Sequence, residues 1–132
     1  MEKFDEDIIR DVLANDDRVI FAYLYGSFSE GEGYRDIDIA VYSQDNIDPF
    51  KLSADLKVKL YELTGIPPDF FDIRIINRLI KHGDLLTLLY LKNVFQRNEI
   101  LVDKDFDKRS DYIEKYSMKY RECEGLINEV MI

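Results

Sequence analysis

Two carboxylates one residue apart, Asp36 and Asp38, follow a Gly26-Ser27 pair across a short polar loop that also holds Gly31 and Gly33. The run Asp36-Ile37-Asp38-Ile39-Ala40-Val41 alternates acid with apolar side chains before turning wholly apolar. On a strand, alternate residues share a face and lie about 6.6 Å apart along the backbone. Asp36 and Asp38 therefore project together, while Ile37, Ile39 and Val41 point into a core. Neighbouring carboxylates repel, and a divalent cation relieves the repulsion. Hard oxygen ligands of this kind suit Mg²⁺ or Mn²⁺, with phosphate oxygens completing the shell. Gly26 lets the chain turn sharply and approach a ligand. Ser27 can cap a short helix over 28–32 whose free N–H groups face an anion. A phosphate cradle beside an acidic metal pair is the equipment of phosphoryl or nucleotidyl transfer.

A third carboxylate is expected on a later strand, and two acids compete for the place. The run Asp69-Phe70-Phe71-Asp72-Ile73-Arg74-Ile75-Ile76 puts position 69 on the apolar face if the strand is regular. Asp72 falls on the opposite face with Arg74 and is the expected partner of Asp36 and Asp38. Asp69 is expected at the start of the strand.

These residues give the chain its resemblance to a family. Gly26-Ser27 followed by Asp36-x-Asp38, with Asp72-Ile73-Arg74 and Glu99-Ile100-Leu101-Val102 further on, resembles the polymerase-β-like nucleotidyltransferase superfamily. Within it the chain looks like the minimal nucleotidyltransferase (MNT) proteins, antitoxins typically encoded beside HEPN-domain RNases. The likeness runs from about Val19 to Asp105. It implies a small mixed sheet flanked by helices. It also implies that Asp36, Asp38 and Asp72 hold two Mg²⁺ or Mn²⁺ ions and that Gly26 and Ser27 bind the phosphates of ATP. The activity implied is transfer of AMP to a hydroxyl, the acceptor being a tyrosine of a HEPN toxin. The alternative is a nucleotidyltransferase fold with little turnover, neutralising its partner by contact alone. Glu30 departs from the family, which usually has a basic residue there, and the loop from Ser27 to Asp36 is shorter than common. Arg74 stands where an aliphatic residue is usual, and either contacts phosphate or pairs with Asp72.

The elements that position these residues read clearly. At 132 residues the chain is one domain, its core expected over about 19–105 and a last helix over about 105–131. A first helix over 3–15 carries Phe4, Ile8, Val12 and Leu13 on one stripe. Arg18 to Tyr25 is a continuous apolar run expected of a strand covered on both faces. Residues 35–43 form the second strand. Asp48-Pro49 caps a helix that packs Leu52, Leu56, Leu60 and Leu63 inward and stops at Gly65. Phe70 to Ile76 is the third strand, and 79–96 is helical with a break at His82-Gly83. Glu99 to Val102 is a short strand. The final helix bears Tyr112, Ile113, Tyr116, Tyr120, Cys123, Ile127 and Val130 at helical spacing, a stripe for its own domain or for an oligomer. Strands interleaved with helices give an α/β (α+β) class.

Charge narrows the partners. The net charge of −9 is spread along the chain, without the clustered Lys and Arg that bind a nucleic-acid backbone. DNA or RNA is not an expected ligand, and a basic protein surface suits the acidity better. The single cysteine, Cys123, excludes an intrachain disulfide and is expected on the buried stripe. His82, the one histidine, is expected as a surface or capping residue. No signal-peptide pattern or membrane-length apolar run is present, so the expectation is a cytoplasmic protein.

Overall fold

Val19–Tyr25 (β1) is the centre of the molecule because every one of its seven side chains is buried. The architecture comes from a computed structural model, which describes residues 3–25, 37–82 and 84–130. Ile37–Ser43 (β2) pairs antiparallel with β1 on one side. Glu99–Asp103 (β4) pairs antiparallel with it on the other. Phe71–Ile75 (β3) extends the sheet by running parallel to β2, so the sheet is mixed and ordered β3-β2-β1-β4. The β-branched and aromatic content of β1 explains its place: a strand sandwiched between two helical layers has no polar face to show.

Helices cover both faces. Lys3–Ala14 (α1) and Pro49–Thr64 (α2) lie on one, where Ile9, Val12, Leu13, Leu52, Leu56 and Leu60 meet Ile37, Ile39, Val41, Phe71 and Ile73. Leu79–His82 (α3), Leu85–Arg97 (α4) and Phe106–Val130 (α5) belong to the other layer. There Leu88, Leu91, Val94, Tyr112, Tyr116 and Ile127 pack on Phe21, Tyr23 and Ala40. Local chemistry sets the boundaries. The Asp48 carboxylate accepts from the Phe50 and Lys51 amides to start α2, and Gly65 ends it in the left-handed region at φ 76°. The Asp84 carboxylate accepts from the Thr87 amide, which separates α4 from α3 at the expected break.

Some details depart from the sequence reading. Leu63 is not in the core: it is 57% exposed and lines a shallow groove with Ile8 and Val12 of α1. Ile9 takes the fully buried place in α1, and the side chain of Phe4 lies outside those described. β3 starts at Phe71 rather than Phe70, because Phe70 closes a 3-10 turn, Pro68–Phe70, that holds Asp69 at the strand entry as expected. Cys123 is half-buried rather than buried. The tyrosine stripe of α5 packs on its own domain. Tyr112 and Tyr116 are buried, Tyr120 packs against Tyr116, and the Tyr112 hydroxyl donates to the Ile76 carbonyl at 2.6 Å. The side chain of Val130 lies outside those described. None of the described helices is long and apolar enough to cross a membrane.

Candidate active site

The start of β2, the start of β3 and the end of β1 meet at one end of the sheet. In the register, Asp38 faces Tyr25 on one side and Asp72 on the other. Neighbouring strands lie about 4.8 Å apart, so the two carboxylates stand side by side. They share a face, because Ile37, Ile39, Phe71 and Ile73 take the opposite one into the α1/α2 core. Asp72 is the strand residue beside Asp38, whereas Asp69 lies ahead of the strand. Gly26, Ser27, Glu30 and Asp36 lie outside the described residues.

An arginine and two tyrosines complete this face. The Arg74 Nε lies 3.7 Å from Asp72 Oδ2, with both side chains about half exposed (54% and 49%). At that exposure the pair is worth about 0–1 kcal/mol and leaves both groups open to a ligand. The guanidinium stacks on the Tyr90 ring, 4.6 Å from its centroid. Tyr90 in turn meets Tyr25 edge-on, ring centres 5.2 Å apart. Burial pushes the Tyr25 phenol up to about 12, and the Asp38 and Asp72 charges add to the effect. Burial pushes Tyr90 higher still. Both phenols are therefore neutral at physiological pH and serve as a platform, not as proton acceptors. The Tyr90 hydroxyl influences that of Tyr25 but has no hydrogen-bond partner among the described residues.

The donor set fits a divalent cation: two hard carboxylates stand on one face in neighbouring strand positions. Among the described residues no group of three or more His, Cys, Asp or Glu stands close enough to hold a metal ion. The proposed set needs Asp36 as well as Asp38 and Asp72. A cavity of about 750 Å³ opens at the Tyr25 end of β1, lined among the described residues by Tyr25, Asn93, Gln96 and Arg97. A second, of about 490 Å³, lies at the other end of β2 and β3, where Ser43, Asn77, Arg78, Lys81 and Lys115 line it.

The family model for polymerase β nucleotidyltransferases matches residues 7–107. The chain belongs to that family. As a polymerase β nucleotidyltransferase it carries the family's match back into α1, beyond the stretch from Val19 that the motifs alone mark. Solved structures show the same fold. A tri-AMPylated Shewanella oneidensis HEPN toxin in complex with an MNT antitoxin has a similar chain, at 22% identity and TM-score 0.58 over all of both chains. The toxin–antitoxin MntA–HepT gives 20% identity and TM-score 0.58 over 99% of this chain and 100% of that one. A toxin–antitoxin with AMP-PNP gives 23% and 0.57 over 97% and 98%. No curated protein matches this nucleotidyltransferase.

The aromatic platform and the cavity residues were not among the sequence candidates. Tyr90, Asn93 and Arg97 follow one face of α4 at helical spacing, which marks them as a set once α4 is known to lie over the carboxylates. Tyr25 ends the buried strand β1 two residues before Ser27, and nothing in its type separates it from the core.

Proposed function

We propose that this nucleotidyltransferase moves AMP from ATP to a hydroxyl of a partner protein, in the manner of an MNT antitoxin acting on a HEPN toxin. The observation that carries the reading is the pairing of Asp38 with Asp72 on one exposed face of a chain whose family model spans residues 7–107. The solved relatives support it: one holds an AMPylated HEPN toxin beside its MNT antitoxin, another holds AMP-PNP.

In this reading Asp36, Asp38 and Asp72 hold two Mg²⁺ or Mn²⁺ ions, and Gly26 and Ser27 cradle phosphate. Bound metal supplies charge neutralisation of the triphosphate and of the attacking oxygen. Asp72 accepts the proton of the acceptor hydroxyl, which attacks the α-phosphorus as the bond to the leaving pyrophosphate breaks. Arg74 has its planar guanidinium set by Tyr90 and reaches phosphate oxygens from beside Asp72. The acceptor hydroxyl is taken to arrive on another chain, in line with the AMPylated HEPN toxin that sits beside its MNT antitoxin in a solved relative.

The competing reading is a binding module that neutralises its partner without turnover. The Arg74–Asp72 contact favours it, since a guanidinium occupies part of the space a metal needs. Intact-mass analysis of a HEPN-type partner after incubation with this protein, ATP and Mg²⁺ separates the two. Transfer adds the mass of AMP to a tyrosine and disappears in Asp38→Asn/Asp72→Asn. Neutralisation with no added mass, equal in the double variant, supports the binding module instead.

A further inference from the structure

The cavity at the Tyr25 end of β1 has no part in the proposed transfer. It starts at Tyr25, the register neighbour of Asp38, and runs along α4. Its volume of about 750 Å³ falls in the range of small-molecule sites, roughly 300–1,000 Å³. Asn93, Gln96 and Arg97 reach it from positions i, i+3 and i+4 of α4, one face of the helix. One turn earlier on that helix stands Tyr90, carrying Arg74 at the carboxylate end. From Tyr90 to Arg97 the helix rises about 10 Å, so the face offers cation and metal ligands at one end and carboxamides further along.

Carboxamides are neutral, two-sided hydrogen-bonding groups. They match the edge of a purine, where a ring nitrogen accepts beside an amino group that donates. A guanidinium adds a flat surface for stacking on the base plane. Carboxamide N–H groups can also donate to phosphate oxygens, so tripolyphosphate is the ligand that separates a base site from a phosphate site.

We infer that this cavity is the nucleobase subsite, with Asn93 and Gln96 reading the edge of an adenine and Arg97 stacking on it. The inference rests on the nucleotidyltransferase reading above and adds to it the residues that select the base.

Calorimetry on the full chain with Mg²⁺ tests it, using ATP, GTP and inorganic tripolyphosphate as probes. The wild-type protein should bind ATP more tightly than GTP or tripolyphosphate. Each of Asn93→Ala and Gln96→Ala should weaken ATP by about five- to tenfold, the worth of one lost hydrogen bond, and leave tripolyphosphate within about twofold. Both residues are exposed, so the variants should fold normally. Equal loss for ATP and tripolyphosphate, or no loss for either, overturns the subsite. So does unchanged ATP binding with impaired transfer, which would place the acceptor in the cavity. If the wild-type protein binds none of the probes, the nucleotidyltransferase reading itself falls.

Discussion

Asp38 and Asp72 come from strands separated by the whole of α2, yet they are direct neighbours in the parallel register of β2 and β3. The α2 crossover that makes those strands parallel is thus what assembles the acidic face. Two like charges at this spacing cost stability and are useful only to a cation.

Removing either charge should therefore leave the metal-free fold intact. Asp72→Asn gives up a half-exposed contact with Arg74 and relieves repulsion from Asp38, so the net change should stay within about 0.5 kcal/mol. Thermal denaturation in EDTA measures this. A loss of several degrees in Tm would make Asp72 a structural group.

Arg74→Met should weaken Mg²⁺-dependent ATP binding about tenfold, since a guanidinium–phosphate contact is a charge-assisted hydrogen bond. The apolar replacement keeps the packing on Tyr90. Tighter ATP binding would mean that Arg74 only occupies the metal's place, and would favour the binding-module reading.

Tyr90 carries a buried hydroxyl without a hydrogen-bond partner among the described residues. Tyr90→Phe keeps the ring under Arg74 and removes that oxygen, so the protein should become more stable by about 1 kcal/mol. A clear drop in Tm would show that the hydroxyl is satisfied in solution.

Alkaline pH should unfold the domain. Burial raises the phenols of Tyr25 and Tyr116 to about 12, and those of Tyr90 and Tyr112 are raised as well. A group that holds its proton more tightly when folded contributes stability below the unfolded value, about 10, and loses it as pH rises through the folded one. Denaturant midpoints should fall between pH 10 and 12, and fewer tyrosines should ionise in the folded protein than in the unfolded one. A flat profile would contradict the burial of these rings.

The fold was legible wherever pattern and local chemistry agreed. The unbroken apolar run of β1 told of burial on both faces, and Asp48, Pro49 and Gly65 fixed α2 to within a residue. Parity alone separated Asp72 from Asp69. What stayed hidden depends on how elements pack. Leu63 has the right spacing for the core, but in the folded chain it faces a shallow groove beside α1. Tyr25 and Tyr90 resemble ordinary core aromatics until Arg74 is seen stacked between them and the carboxylates. The α5 stripe was compatible with a partner, and the Tyr112 bond to Ile76 shows that it serves the domain.

The central claim is that Asp38 and Asp72 jointly hold divalent metal for a nucleotide. Electron paramagnetic resonance of Mn²⁺, titrated into the protein with and without AMP-PNP, measures that directly. The account predicts Mn²⁺ binding that strengthens with nucleotide, weakens in Asp38→Asn or Asp72→Asn, and vanishes in the double variant while the fold persists. Mn²⁺ and AMP-PNP binding unchanged in the double variant would contradict it.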